Sequence, residues 1–267
     1  MGTAVGALGD PVAIRACGDR VRLAERLHRL GTGMINAYLV EESGGVTIVD
    51  AGVPAYWADL PGELAAMGRA LADVRGIVLT HGHSDHIGFA ERARRERRVP
   101  VNVHELDAAL ARGEVPNPSR GLGRTRIRPL LGFLVYSALH GALRTPRLAV
   151  VATFGHGATL DLPGSPRVIL VPGHTPGSAA LHVPSHDALF AGDAIATLAV
   201  TNGATGPQVA PFTADADLAV ASLARLEGIE AHWLLPGHGE PWTGGVATAV
   251  AAVRASARST ARGRAES

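Results

Sequence analysis

The chain has 267 residues, of which 46% are hydrophobic and 18% are charged. That balance suits one or two globular domains and excludes a largely disordered chain. The formal net charge is only +1, so the whole-chain charge predicts neither a nucleic-acid nor a membrane partner. The one cysteine, Cys17, excludes an intrachain disulfide and a thiolate metal cluster.

Neither a leader nor a membrane anchor is expected from the sequence. The opening residues lack a basic stretch followed by an apolar one. No segment approaches the roughly 18 apolar residues of a transmembrane helix. We therefore expect a cytoplasmic enzyme that acts on a small molecule, and its oligomeric state stays open.

Short apolar runs between turn residues predict alternating strands and helices in the first half of the chain. Residues 21–30 mix charged and apolar side chains and predict a strand or a short helix. Gly44 and Gly45 predict a hairpin turn. The predicted strands are residues 36–40, 46–49, 76–80 and 99–103, and the predicted helices are residues 57–72 and 89–98.

The same alternation returns after residue 150. The predicted strands there are residues 168–171, 179–183, 188–191 and 232–235, and the predicted helices are residues 215–228 and 244–258. We expect residues 1–267 to form a single domain.

Residues 112–150 interrupt the alternation. They contain seven arginines against one acidic residue, with proline and glycine on either side of the apolar run 130–139. We predict that this segment is a helical cap inserted over a cleft. Phe133 and Tyr136 lie in the run and are candidates for the wall of a substrate pocket, because such pockets are mostly apolar.

The strongest chemical signal is the segment Thr80-His-Gly-His-Ser-Asp-His-Ile-Gly88, which directly follows a predicted strand. It places His81, His83, Asp85 and His86 within six residues. Imidazoles and carboxylates on one sharp turn are able to converge on a metal ion, and they suit Zn²⁺, Fe²⁺ or Mn²⁺.

Three further donors share one local pattern. An apolar strand runs into a glycine, and a single His or Asp follows. These donors are His174, Asp193 and His238. Donors at strand ends have rigid supports, and a glycine beside each lets the backbone approach a metal closely. Histidines outside these motifs, such as His28, are expected at the surface or as caps.

Taken together, these motifs resemble those of the metallo-β-lactamase-fold metallo-hydrolases, a superfamily that includes glyoxalase II and lactonases. The family's His-x-His-x-Asp-His motif is matched at residues 81–86, and the resemblance continues at 172–178, 191–193 and 236–239. It implies an α/β fold of the αββα type, in which two mixed sheets are flanked by helices.

The resemblance also implies roles for individual residues. His81, His83 and His174 correspond to one metal site, Asp85, His86 and His238 to a second, and Asp193 to a bridging carboxylate. Asp50 corresponds to a carboxylate that orients a ligand imidazole. The expected cofactors are two divalent ions, most simply Zn²⁺, with Fe or Mn as alternatives, and Asp85, His83 and Asp193 are expected to take part in the chemistry.

The implied reaction is hydrolysis of an ester-type bond by a hydroxide shared between two metal ions. A thioester or a lactone is the expected substrate. The alternatives are a mononuclear iron dioxygenase that acts on persulfides, a β-lactam hydrolase, and a catalytically silent binding module of the same fold. The complete set of seven ligand positions argues against the binding module.

Overall fold

The computed structural model describes residues 21–119, 121, 122 and 125–265. The side chains of residues 21 and 259–265 are not described. Cys17 and the arginines at 120 and 124 lie outside the described residues.

The first of two large sheets has seven strands in chain order. They are β1 (Val21–Ala24), β2 (Leu27–Gly31), β3 (Asn36–Glu42), β4 (Gly45–Val49), β5 (Val74–Val78), β6 (Val101–His104) and β7 (Ala152–Phe154). Strands β1 to β4 are antiparallel, and β4 to β7 are parallel. The sheet is therefore mixed, and the strands that precede the histidine-rich turn lie in its parallel half.

The second large sheet has four strands in the order β13-β10-β9-β8. They are β8 (Arg167–Leu170), β9 (Ala179–Val183), β10 (Ala188–Gly192) and β13 (Trp233–Pro236). Strand β9 runs antiparallel to both neighbours, so β8, β10 and β13 point the same way. A small ribbon pairs β11 (Ala196–Leu198) with β12 (Thr205–Gln208).

Six α-helices lie within the described residues. They are α1 (Tyr56–Ala66), α2 (Ala90–Arg97), α3 (Ala108–Ala111), α4 (Ile127–Leu139), α5 (Ala216–Ser222) and α6 (Val246–Ala265). None of them has the length and apolar character needed to cross a bilayer.

The core has three layers because the strands alternate their buried faces. On β3, Ala37 and Leu39 pack towards α1 and α2, whereas Tyr38 and Val40 face the second sheet. Phe190 on β10 meets Tyr38 edge-on, with ring centroids 5.5 Å apart. Helices α5 and α6 cover the other face of the second sheet. The αββα sandwich implied by the family resemblance is therefore the fold that we observe.

The structure differs from the sequence prediction in several elements. For residues 21–30, predicted as a strand or a short helix, the strand alternative is correct, as two strands joined in the β1–β2 hairpin. Helix α1 ends at Ala66 rather than at residue 72, because Gly68 adopts a left-handed conformation with a φ of +69°. Strand β5 begins at Val74. Gly76, which we expected to be the first residue of this strand, therefore lies inside it. Strands β7, β11 and β12, each three or four residues long, were not predicted.

Residues 112–150 are only partly helical. Residues 127–139 form α4, a short 3₁₀ turn covers Ala142–Arg144, and the described residues between 115 and 126 are irregular. The segment enters after α3 and leaves into β7 at the edge of the first sheet.

Candidate metal centre

The predicted donors meet at one end of the two sheets. Asp50 follows β4 directly, the histidine-rich turn follows β5, and His174, Asp193 and His238 follow β8, β10 and β13. Since β4 and β5 are parallel, and β8, β10 and β13 share a direction, all these strands deliver their carboxyl ends to the same cleft. The sandwich thus brings together residues that are far apart in sequence.

All seven predicted ligands fall into three overlapping groups whose ligand atoms lie within 4.8 Å of one another. The groups are His81, His83 and His174; His81, His86 and Asp193; and Asp85, His86 and His238. Six of the seven are buried. Asp85 is the exception, with 17% of its side chain exposed.

Asp193 lies between the first and last of these groups. Its Oδ2 is 3.2 Å from His174 Nε2 and 3.3 Å from His238 Nε2, and its Oδ1 is 3.6 Å from His86 Nε2. On the other side of the cluster, His83 Nδ1 lies 3.0 Å from His174 Nε2. Two donors bound to one tetrahedral zinc, each about 2.0–2.1 Å from it, are ~3.3 Å apart. The observed separations fit that spacing.

Several ligand atoms have no hydrogen-bond partner within the described residues. They include Nε2 of His81 and His86 and Oδ1 of Asp193, all buried. A buried polar atom without a partner costs about 1–3 kcal/mol. A cation at the centre of the cluster would satisfy these atoms together, so the donor set fits a bound metal.

For two of the rings, His238 and His174, a hydrogen bond on the far side fixes which nitrogen faces the cluster. His238 Nδ1 donates to the Met34 carbonyl over 2.6 Å. His174 Nδ1 lies 3.0 Å from Thr213 Oγ1, whose own proton is donated to the Ala210 carbonyl. Both rings are thus held with Nε2 free to accept a metal.

Asp50 orients two imidazoles. Its Oδ2 accepts a hydrogen bond from His86 Nδ1 over 2.8 Å and another from the Thr80 hydroxyl over 2.9 Å. That hydroxyl lies 3.1 Å from His81 Nδ1, so the chain of contacts runs from Asp50 through Thr80 to His81. Asp50 has a φ of +60°, an uncommon conformation for a residue other than glycine. Its backbone therefore directs the carboxylate beneath both rings.

Charge within the cluster is shaped by burial and by the carboxylates. Burial among other imidazoles holds the pKa of His81 well below its usual range and lowers the pKa of His174 to about 3. For His86, burial acts in the same direction, but Asp50 and Asp193 outweigh it and raise its pKa to about 9. The carboxylates thus make the cluster favourable for positive charge, which a divalent ion would supply.

Gly237 allows a close approach of the backbone to two ligands of the cluster. A Cβ on this residue would collide with Asp193 Oδ1 and with the His86 ring. Only glycine lets β13 bring His238 this near to Asp193. The glycine before a donor, noted in the sequence, therefore has a steric reason here.

Asp107 is a buried residue of the site that the sequence analysis missed. It is fully buried, and Oδ2 accepts hydrogen bonds from the Gly82 amide over 2.9 Å and from the Thr175 hydroxyl over 2.7 Å. Oδ1 accepts one from the Gly177 amide over 2.7 Å. Asp107 thereby joins the loop of His81 and His83 to the loop of His174. Its position just after β6, a strand parallel to β5, is the sequence signal that could have revealed it.

Phe133 and Tyr136 both lie on the buried face of α4, but at different distances from the cluster. The Phe133 ring is 6.1 Å from the His238 ring and 6.2 Å from the Phe212 ring, between centroids. The Tyr136 hydroxyl instead bonds to the Tyr56 hydroxyl over 2.6 Å. Phe133 thus borders the cluster, whereas Tyr136 anchors α4 to α1.

Replacement of Asp50 by alanine is expected to lower metal affinity or catalytic rate by about 10–100-fold, the usual cost of losing a ligand's orienting partner. Metal titration of the apoprotein measures the affinity, and circular dichroism checks that the fold is kept. Asp50→Asn should fall between the wild type and Asp50→Ala, since an amide accepts through one oxygen only. Wild-type affinity and rate in Asp50→Ala would show that the residue serves only the turn.

Comparisons with known proteins agree with this architecture. The model of the Metallo-beta-lactamase superfamily matches residues 30–238. The Bacillus subtilis (strain 168) protein named "Probable metallo-hydrolase YflN" is 29% identical over 258 residues, which cover 88% of this chain and 91% of that protein. The family match includes every predicted ligand.

Two solved structures extend the comparison. The metallo-beta-lactamase family protein TTHA1429 from Thermus thermophilus has a TM-score of 0.64 at 23% identity, over 89% of this chain and 81% of that one. TTHA1623, solved in a di-iron-bound form, has a TM-score of 0.55 at 27% identity, over 80% of this chain and 92% of that one.

Proposed function

Because the chain belongs to the metallo-beta-lactamase superfamily, we propose that it is a hydrolase that holds two divalent metal ions and cleaves a thioester or a lactone. The observation that supports two ions is the position of Asp193, whose carboxylate is within 3.3 Å of a histidine from each of two ligand groups. A carboxylate there is able to bridge two ions, with His81, His83 and His174 on one and Asp85, His86 and His238 on the other.

The donor set favours zinc and accepts other metals. Imidazoles and carboxylates without a thiolate suit Zn²⁺, and Fe²⁺ or Mn²⁺ also bind such sites. The di-iron form of TTHA1623 is a precedent for two ions in a similar protein. Ions bound here would lower the pKa of a water molecule towards ~7 and polarise an acyl oxygen.

Asp85 is the ligand to which we assign the orientation of the attacking water. Its side chain is the most exposed of the seven, and its Oδ2 is 3.4 Å from His238 Nε2. A water molecule that enters the cleft therefore meets Asp85 before the buried ligands. A carboxylate there accepts a hydrogen bond from the water and directs its lone pair towards the substrate carbon.

The inner face of α4 supports an acyl substrate rather than a strongly polar one. Phe133 and Phe212 form an aromatic wall beside His238, with the Phe133 ring 6.1 Å from the His238 ring between centroids. We take residues 112–150 to be a cap whose α4 helix covers this side of the cluster. The acyl chain or ring would lie against the wall, while the ester-type carbonyl faces the metal ions.

Removing the Phe133 ring is expected to raise KM or to change the substrate preference, with metal content unchanged. Tyr136→Ala should have a similar but indirect effect, because it frees α4 from Tyr56. Tyr136→Phe separates the two causes, since it keeps the ring and loses only the hydroxyl contact. Unchanged kinetics in Phe133→Ala, together with poor solubility, would mean that the segment serves packing or dimer contacts and is not a cap.

A substrate panel tests the proposed reaction. The metal-loaded protein is assayed with thioesters, lactones and β-lactams, and oxygen uptake is followed with a persulfide. We expect hydrolysis of a thioester or lactone, its loss with a chelator and its return with Zn²⁺ or Mn²⁺. Oxygen consumption with persulfide, without hydrolysis, would assign the chain to the iron dioxygenases instead. Turnover of β-lactams alone would reject the thioester or lactone proposal.

A further inference from the structure

The outward face of α4 is an exposed apolar surface. Of the eleven large apolar side chains that are exposed within the described residues, nine lie in residues 112–150. Five of these lie on α4 and a sixth lies in the 3₁₀ turn that follows it, and we call these six the α4 face: Ile127, Leu131, Leu134, Val135, Leu139 and Leu143. Ile127 and Leu139, at the two ends of the helix, are 84% and 78% exposed. A soluble monomer rarely presents a contiguous apolar surface of this kind without a use for it.

Positive charge borders the α4 face at both ends. Arg126 and Arg128 lie at the start of the helix, and Arg144 and Arg147 lie just beyond its end. All four are exposed, and none forms an ion pair within the described part of the chain. Residues 125–150 contain no acidic residue. The charge of the whole chain is nearly balanced, but the region around the α4 face has a local excess of arginine.

We propose that the α4 face is a docking surface for an anionic lipid bilayer. A bilayer interface offers an apolar layer to the leucines and negatively charged headgroups to the arginines at the same time. A helix of 13 residues is about 20 Å long and would lie flat in the interface, with the arginines extended to the headgroups at each end.

A second copy of the chain fits the α4 face less well. Both ends of the helix are flanked by arginines, so a parallel and an antiparallel pairing would each bring like charges together. Like charges across an interface disfavour association. The charge of the whole chain predicted no membrane partner. For the α4 face alone, we replace that expectation with a peripheral membrane contact, which needs no spanning helix.

Docking of the α4 face would also place the metal centre beside the lipid. Phe133 lies on the opposite side of the same helix and borders His238. Helix α4 would then lie between the bilayer and the metal cluster, with its exposed side chains towards the lipid and its buried side chains towards the cluster. The docking proposal does not depend on the proposed reaction, because it is measured by binding alone.

Vesicle co-sedimentation of the metal-loaded protein tests the proposal. Vesicles of phosphatidylcholine alone are compared with vesicles that contain ~30% phosphatidylserine, at about 0.1 M and 0.5 M salt. We expect binding to the anionic vesicles at low salt, weaker binding to neutral ones, and a loss of affinity as salt rises.

Two variants address the two parts of the face separately. Leu131→Gln with Leu139→Gln should weaken vesicle binding at least about ten-fold, because each leucine loses its transfer into the apolar layer. Arg126→Glu with Arg128→Glu should weaken it roughly 25-fold or more, at about five-fold for each arginine lost. Leu218→Gln and Arg95→Glu, on α5 and α2, are exposed matched controls and should bind like the wild type.

The oligomeric state of the same samples is measured, so that vesicle binding can be distinguished from dimer formation. Failure of the wild type to bind anionic vesicles at low salt would overturn the proposal. A dimer that Leu131→Gln with Leu139→Gln dissociates, without vesicle binding, would make the α4 face an interface between copies. Equal binding by the face variants and the controls would place any lipid contact elsewhere on the molecule.

Discussion

Replacing Asp193 by alanine is expected to lower the bound metal from two ions per chain to fewer than one. The carboxylate lies within 3.3 Å of both His174 and His238, so its removal takes a ligand from two ions at once. Activity should fall by more than the roughly 100-fold upper cost of losing an orienting residue. Elemental analysis after gel filtration and initial rates on the same samples measure the two effects.

Two further variants are compared with Asp193→Ala. Asp161→Ala removes an exposed aspartate from the same chain and should retain both ions and full activity. His238→Ala removes a ligand only from the group of Asp85, His86 and His238, so the variant should lose one ion and keep the other more firmly than Asp193→Ala does. Equal metal content in Asp193→Ala and the wild type would exclude a bridging role for Asp193.

Removal of the Asp107 carboxylate should have the largest effect on stability. Alanine at this position leaves two buried amides, those of Gly82 and Gly177, without their acceptor. It also removes the Thr175 hydroxyl's bond to Asp107, although Ser178 Oγ stays 2.9 Å from that hydroxyl. At about 1–3 kcal/mol for each amide, the free energy of unfolding should fall by at least ~2 kcal/mol. For a chain of this size, that corresponds to a drop in Tm of roughly 4–8 °C.

A matched variant separates this effect from the loss of any aspartate. Asp73 is partly exposed, and its carboxylate accepts a hydrogen bond from the Ala70 amide at the surface. Asp73→Ala should therefore lower Tm by much less. Asp107→Ala should also weaken the metal group formed by His81, His83 and His174, because Asp107 joins the two loops that hold them. A Tm within about 2 °C of the wild type, less than the shift from one lost hydrogen bond, would show that the loops do not depend on Asp107.

The sequence was sufficient to predict which donors gather in one cluster, because the donors belong to strongly local motifs. Four of them occupy residues 81–86, and the others each follow an apolar strand and a glycine. The sheet fixes the direction in which each strand ends. A donor that follows a strand therefore indicates where a site will form before any tertiary contact is known. The alternation of apolar runs likewise predicted most strands of the two large sheets.

The contacts that support the ligands could not be predicted in the same way. Asp107 contacts residues 25 and 70 positions away, and Met34 contacts a histidine 204 positions away. No spacing in the sequence encodes such partners, since they depend on how two sheets pack. His28 shows the same limit: we expected a surface or capping histidine, yet it is buried in contact with Glu63.

The two faces of α4 illustrate a further limit. An apolar run of this length predicts a helix, but it does not say which side chains are buried. The structure buries Phe133 and Tyr136 and leaves Leu131 and Leu139 exposed. Binary patterning fails here because the helix is apolar on nearly every side.

Metal stoichiometry against activity tests the central claim most directly. Apoprotein prepared with a chelator is titrated with Zn²⁺, and bound metal and the rate of thioester or lactone hydrolysis are measured at each point. The account predicts saturation at two ions per chain, with activity that requires the clustered ligands and is absent without metal. Saturation at one ion, or a single iron per chain with no hydrolysis at any loading, would contradict it.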